Sequence, residues 1–240
     1  MSQSNWTYVK MILLLLLVGF LYAFASGRNA VRKVSKPVVT FIGENNLFIT
    51  IETVSKLLIQ NQEGLKNVAK ETLALNKLEN ALNSNPMIKT AEVYVTVNGT
   101  LNADIEQRNP IARVSTNASY YIDDEGFFMP LSTNYSARVP LVTGFVEKNN
   151  LKNVYKVANK IRNDAFLKKN VFEIHQSIDK TIYLKLRQCK FLVQLGDVMN
   201  LDKKINNLKA FYQKSLKEKT LDDYKKVNLQ FDNQVVCTKA

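Results

Sequence analysis

The sequence predicts an α+β protein with a single N-terminal transmembrane helix, a small β-α-α-β-β domain and a larger, mostly antiparallel β domain with two helices. Three observations support this prediction: an uncharged apolar run near the N-terminus, two alternating runs joined by Asn98-Gly99, and many short β-type runs in the second half. The expected boundaries are a tail at 1–10, the transmembrane helix at 11–27, the small domain at 34–107 and the β domain at 108–240.

The N-terminal apolar run is the clearest feature of the sequence. Residues 11–27 carry no charge, and as a helix they span roughly 25 Å, which is the short end of what crosses a bilayer. Trp6 and Tyr8 lie where interfacial aromatic residues are found. A cleaved signal peptide is the alternative, because 23–25 reads Ala-Phe-Ala. The length of the run favours a retained anchor that crosses the membrane once.

The charges that flank this run conflict with the expected orientation. Only Lys10 and the amino terminus precede it, whereas four basic residues follow it: Arg28, Arg32, Lys33 and Lys36. The positive-inside rule would keep the C-terminal side in the cytoplasm, but large domains translocate regardless of flanking charge. We expect a cytoplasmic N-terminus, with the bulk of the chain outside the cytoplasm.

The small domain is predicted element by element. The run 38–42 indicates a strand, Thr50 is a helix N-cap candidate, and 51–58 and 75–82 carry apolar residues at helical spacing. The second helix should stop near Asn85-Pro86. Alternating residues at 91–97 and 101–106 flank Asn98-Gly99 and predict a tight β-hairpin. Two helices on a three-stranded sheet would bury their apolar faces.

The larger domain is predicted as short strands with two helices. Strands are expected at 111–114, 120–122, 127–131, 171–178, 181–186, 191–195 and 227–236. A helical stripe runs from Leu151 to Ala165, and another from Leu201 to Tyr212.

No residue pattern indicates an enzyme, a cofactor or a metal site. His175 is the sole histidine, and the sequence has no P-loop, G-x-S-x-G or G-x-G-x-x-G motif. Asp123-Asp124-Glu125 is interpreted as a turn, and the two cysteines as half-buried free thiols. The net charge of +12 would suit an anionic membrane or acidic partners, but no nucleic-acid motif accompanies it.

Several segments together resemble the bacterial FtsQ/DivIB cell-division family. They are NPMIKTAEVYV, QRNPIARV, YYIDDEGFFMPLS, RVPLVTG, LDKKINNLKAFY and VNLQFDNQVVCTK. They look most like the FtsQ-type proteins of Bacteroidota-like bacteria, and the small domain resembles a POTRA module. The resemblance implies a non-enzymatic, single-pass inner-membrane scaffold with its bulk in the periplasm. At the division septum it would recruit FtsB/FtsL-like single-span partners and other divisome proteins.

In this family the partner adds a strand to the sheet edge near the last strand, which here implies the 227–236 segment. The implied partner-binding residues are Leu229, Gln230, Phe231, Asn233 and Val235. Phe231 lies where the family has a key aromatic residue, and Gln230 where some members have arginine. Phe231 packing on the sheet face is the alternative. An exported POTRA-like module in envelope assembly is the second function considered, and an anchored envelope hydrolase is a third.

Overall fold

The computed structural model describes residues 3–30, 37–43, 46–60, 75–231 and 234–240. The chain divides into two compact units, 1–107 and 108–240. The first helix, α1 (Gln3–Ala30), contains a 21-residue stretch, Tyr8–Arg28, that is long and apolar enough to cross a membrane. This assignment rests on length and composition, which a signal sequence near the N-terminus also satisfies.

The rest of the first unit has the predicted β-α-α-β-β order. Its elements are β1 (Val38–Ile42), α2 (Ile51–Gln60), α3 (Leu75–Asn83), β2 (Ile88–Val95) and β3 (Leu101–Gln107). The strands form a sheet of order β1-β3-β2, in which β1 is parallel to β3 and β2 is antiparallel to it. Val54 and Leu58 of α2 and Leu78 and Leu82 of α3 are buried against this sheet, as their spacing predicted.

In the hairpin formed by β2 and β3, strand β2 ends earlier than the alternating pattern predicted. β2 stops at Val95, and the Gly99 N–H donates to the Thr96 carbonyl at 2.9 Å. Gly99 has φ of +85°, the left-handed conformation that closes this type of hairpin at low cost. Val97, predicted as a strand residue, therefore lies in the turn with 77% of its surface exposed.

A buried glutamine joins the start of α2 to the end of the sheet. Gln107 is 2% exposed. Its Oε1 accepts hydrogen bonds from the backbone N–H groups of Phe48 and Ile49 at 3.0 and 3.2 Å, and its Nε2 donates to the Ile49 carbonyl at 3.0 Å. A side chain thus satisfies backbone groups that no strand or helix pairs.

The second unit is built on nine strands. They are β4 (Pro110–Ser115), β5 (Ser119–Asp123), β6 (Phe128–Met129), β7 (Leu141–Gly144), β8 (Val171–Gln176), β9 (Ile182–Leu186), β10 (Leu192–Gly196), β11 (Tyr224–Asn228) and β12 (Val236–Lys239). Their order is β12-β11-β10-β9-β8-β7-β4-β5-β6. Five neighbouring pairs are antiparallel and three are parallel, which confirms the mostly antiparallel prediction.

Helices α4 (Lys152–Asn163), α5 (Ala165–Asn170) and α6 (Leu201–Glu218) complete this unit, with a short 3-10 helix at Leu221–Asp223. The helix predicted to run through Ala165 is divided at Asp164. Asp164 has an extended backbone, and its side chain accepts hydrogen bonds from the N–H groups of Phe166 and Leu167. Because an aspartate is a strong N-cap, α5 starts anew there.

The helices cover one face of the nine-stranded sheet. The two crossovers that contain helices, β7 to β8 and β10 to β11, connect parallel strands and move in the same direction along the sheet. Right-handed crossovers in one direction place their helices on one face. The shared core contains Val154 and Ile161 of α4 and Leu208 of α6, packed with strand residues such as Ile174 and Val193.

Candidate partner-binding edge

β12 forms one edge of the nine-stranded sheet. It runs antiparallel to β11, with Val236 opposite Asn228, Cys237 opposite Val227 and Thr238 opposite Lys226. Among the residues that the structure describes, no strand pairs with its outer side. Val236 is 41% exposed, whereas Cys237 is half-buried against the core. An edge of this kind presents unpaired backbone N–H and C=O groups to an incoming strand.

The strand predicted at 227–236 is wrong in its extent. β11 ends at Asn228, the chain then leaves the ladder, and β12 starts at Val236. The apolar residues at 227, 229 and 231 continue the alternation beyond the end of β11, and this alternation predicted a strand that is too long. The polar run Asp232-Asn233-Gln234 and the β-branched pair Val235-Val236 were the signals for a connection followed by a new strand.

Leu229 and Gln230, the first two predicted site residues, hold the segment after β11 against strand β10. The Leu229 side chain is completely buried, and its N–H donates to the Gln194 carbonyl at 2.9 Å. Gln194 Nε2 donates to Gln230 Oε1 at 2.7 Å. The Gln230 side chain lies so close to Gly196 that a Cβ at this glycine would come within 2.6 Å of it. Leu229 can therefore act on a partner only through the position of the loop.

The remaining predicted residues have different surroundings. Phe231 is 46% exposed, Val235 is half-buried against the core, and Asn233 lies outside the described residues. The structure thus brings Gln230, Phe231 and Val235 to the connection that leads into β12. The residues of β12 itself, from Val236 to Lys239, are the part that the sequence prediction assigned least well.

The opposite edge of the sheet is the much shorter strand β6. β6 has two residues and is followed by Pro130. Asp123, fully buried, accepts from Arg108 Nη1 at 2.5 Å, and its Oδ1 accepts from the N–H groups of Glu125 and Phe127. Asp123 thus forms the predicted turn. Beside β6 lies a cavity of about 450 Å³, where Lys148 Nζ sits 3.6 Å from the centre of the Phe128 ring.

The cysteines give this unit no reactive thiolate. Cys189 and Cys237 are free and half-buried, as the sequence interpretation expected. Burial, with the nearby Asp222 carboxylate, raises the pKa of Cys189 to about 11, and burial also raises the pKa of Cys237. Both thiols stay protonated at neutral pH and are weak nucleophiles. In the described part of the chain, no group of three or more His, Cys, Asp or Glu could hold a metal ion.

Near the N-terminus, Trp6 and Tyr8 project from α1 with 57% and 64% of their surfaces exposed. Lys10 Nζ lies 5.5 Å from the centre of the Trp6 ring. This pairing of an aromatic ring with a lysine at one end of an apolar helix suits the membrane interface predicted for these residues.

Together these features define a class of protein: an α+β protein with an N-terminal candidate membrane span, a small three-stranded domain and a larger domain built on a nine-stranded sheet. A POTRA-like domain model matches residues 43–106, and a model described as "FtsQ/DivIB, C-terminal related" matches residues 109–238, more than half of the chain. The chain belongs to the FtsQ/DivIB family, and this membership supports a role in cell division.

A curated relative agrees with this assignment. The cell division protein FtsQ of Geotalea daltonii (strain DSM 22248 / JCM 15807 / FRC-32) is 24% identical over 180 residues. The match covers 70% of this chain and 64% of the relative, so the chain spans slightly less than two thirds of that protein's length.

Proposed function

We propose that this chain is a non-catalytic, bitopic scaffold of the bacterial divisome that binds its partner by strand addition to β12. The observation that carries the proposal is that, within the described ranges, no strand pairs with the outer side of β12, in a domain that matches the FtsQ/DivIB family. Strand addition derives affinity from backbone hydrogen bonds and specificity from alternate side chains. The partners expected from the family resemblance are FtsB/FtsL-like single-span proteins.

The two ends of the sheet support β12 over β6 as the binding edge. A template for another strand needs several consecutive residues with free N–H groups, and proline removes such a donor. β12 offers four residues without a proline, whereas β6 offers two and is followed by Pro130. Only β12 has the length for a stable ladder.

Phe231 is the proposed side-chain anchor of this interface. It lies five residues before β12 with nearly half of its surface exposed, and it follows a loop held to β10 through Leu229 and Gln230. Large aromatic residues held in position contribute much of the binding energy at interfaces. Gln230 replaces the arginine of some family members, so it offers a hydrogen bond but no ion pair.

We further propose that the N-terminus is cytoplasmic and that the two units lie in the periplasm. An apolar N-terminal helix and the division family support this arrangement. Protease added to intact spheroplasts should digest both units while leaving the N-terminal tail. Digestion only after lysis would reverse the topology.

The test of the binding edge measures partner affinity with the full-length chain. The chain is captured from gently solubilised membranes with a candidate FtsB/FtsL-like complex, as wild type, Phe231→Ala and Phe145→Ala. Phe145 is the matched control because it is an exposed phenylalanine of the same unit, at 56%, that follows β7. Phe231→Ala should weaken binding by about 2 kcal/mol, or roughly 30-fold, whereas Phe145→Ala should leave it unchanged.

The possible outcomes separate the function from the site. If the wild-type chain binds no single-span division protein, the divisome proposal fails and the envelope-assembly module becomes the better explanation. If wild type and Phe231→Ala bind equally well, the function stands and Phe231 is not the anchor. Circular dichroism of each variant confirms that any loss reflects the interface and not unfolding.

A further inference from the structure

The helices of the second unit carry most of the net positive charge of the protein. α4, α5 and α6 with the intervening Asp164 contain eleven basic and three acidic residues, a net charge of +8, while the whole chain carries +12. Ten of the eleven basic residues are lysines, and Arg162 is the exception. The outer surface of these three helices is here called the basic face.

The three helices form one continuous layer. Lys160 of α4 is paired with Asp202 of α6, and Lys209 of α6 is paired with Asp164 between α4 and α5. The rings of Phe166 and Tyr212 join α5 to α6 with their centres 5.0 Å apart. Since the apolar sides of the helices face the sheet, their polar sides share one outward surface.

Much of the positive charge on the basic face is not neutralised within the unit. Arg162 pairs with Asp124 at 3.2 Å and Lys204 with Asp197 at 2.6 Å. Six exposed lysines form no ion pair with the residues that the structure describes: Lys152, Lys156, Lys168, Lys169, Lys214 and Lys217. Clustered like charges repel one another, so an anionic surface that covers them gains favourable electrostatic energy.

We propose that the basic face docks onto the anionic lipid surface of the membrane in which α1 is anchored. This inference goes beyond the divisome role and does not depend on the β12 edge. Lysine is a compact point charge, whereas arginine supplies the planar fork used for specific carboxylate and phosphate recognition. A surface with lysines in such excess suits a diffuse anionic bilayer, where each basic residue adds attraction within a Debye length.

The scarcity of exposed apolar side chains on the basic face favours a lipid surface over an acidic protein as its partner. Leu216 is the one large apolar side chain of α4, α5 and α6 that is exposed in the described structure, at 56%. Specific protein interfaces rely on clustered aromatic and arginine anchors, which the exposed positions of these helices do not provide. Leu216 lies between Lys214 and Lys217, so it can enter the headgroup region while its neighbours bind phosphates.

The test uses the full-length chain reconstituted into two kinds of vesicle, phosphatidylcholine alone and phosphatidylcholine with about a third phosphatidylglycerol. Lysine reactivity is measured by reductive methylation with formaldehyde, a small neutral reagent, followed by mass spectrometry. On anionic vesicles at low salt, Lys156, Lys168 and Lys214 should react about fivefold more slowly than on neutral vesicles. High salt should abolish the difference.

Lysines of the same unit outside the basic face are the internal control. Lys185, Lys225 and Lys239 belong to strands β9, β11 and β12 and should react equally on both vesicles. A matched pair of variants completes the design: K168Q/K169Q/K214Q/K217Q should lose the protection of Lys156, whereas K185Q/K225Q/K239Q should retain it. Equal reactivity of Lys156 on both vesicles overturns the proposal, as does protection that appears only when a protein partner is added.

Discussion

The two edges of the nine-stranded sheet differ in length and in the residues that adjoin them. At β6, the edge strand has two residues and is followed by Pro130, and the adjoining turn is held by the buried Asp123–Arg108 pair. At β12, four residues end the sheet with their outer side unpaired among the described residues. Natural proteins blunt sheet edges to avoid unwanted pairing. The longer edge strand, which is also free of proline, is therefore the better candidate for a specific partner.

The comparison predicts that substitutions at the two edges affect different quantities. Changes at the β6 edge should lower the stability of the second unit, because the contacts there are internal and buried. Changes on the outer side of β12 should lower partner affinity while stability stays constant, because those groups face solvent in the free protein. Two experiments test this separation, and a third tests an ion pair beside the interior strand β10.

The largest effect is expected for Asp123→Ala. The substitution leaves Arg108 without its carboxylate and removes the acceptor for the N–H groups of Glu125 and Phe127. Breaking a buried ion pair costs about 3–5 kcal/mol, which urea denaturation of the solubilised chain should show. Asp123→Asn, which keeps the shape and an acceptor oxygen, should cost less. Partner affinity of the folded fraction should match wild type; a loss of affinity would contradict the separation of the two edges.

A pair of proline variants at β12 should give an intermediate effect. Adjacent residues of a strand direct their N–H groups to opposite sides, so Cys237→Pro and Thr238→Pro remove donors from different ladders. The variant that loses the N–H directed at β11 should lose about 1 kcal/mol of unfolding free energy, because a hydrogen bond to β11 is removed. The variant that loses the outward N–H should keep its stability and weaken partner binding about tenfold.

The proline pair is decisive because each variant controls for the other. Urea denaturation and partner titration are measured on both. If the variant that keeps its stability also keeps full affinity, the partner does not use the backbone of β12 and strand addition is wrong.

The smallest effect concerns acid stability near β10. The hydrogen bond from Lys204 lowers the pKa of Asp197, which directly follows β10. A carboxyl with a lowered folded-state pKa stabilises the protein above its unfolded pKa, and that stability is lost as pH falls through the folded pKa. Asp197 is 64% exposed, so the contribution should stay below about 1 kcal/mol. The stability difference between wild type and Asp197→Asn should be smaller at pH 3 than at pH 6, because the contribution is lost as pH falls. An equal difference at both pH values would refute the assignment.

Local signals predicted the first unit better than the second. In the first unit, each helix has its own apolar face, and the hairpin is closed by Asn98-Gly99, so neighbouring residues specify each element. Val97 was misplaced because a turn of this type takes one more residue from the strand than the alternation suggests. In the second unit, the apolar stripe continues across Asp164, so the division between α4 and α5 could be predicted only by recognising Asp164 as an N-cap.

The partner site shows where sequence reasoning reached its limit. Phe231 and Val235 were assigned to a strand and lie in a connection, and β12 itself was merged with β11. The alternation of Val227, Leu229 and Phe231 is a local property, but Leu229 is buried because its N–H binds Gln194 of β10, 35 positions earlier in the chain.

The sequence by itself determined the apolar helix, the β-α-α-β-β order, the α+β class and the excess of lysine, because propensity, periodicity and charge are properties of neighbouring residues. Only the tertiary structure decided which strands lie at the edges of the large sheet, that Asp123 is buried with Arg108, and that three lysine-rich helices share one face. These features depend on pairings between residues far apart in the chain, and local pattern carries no record of such partners.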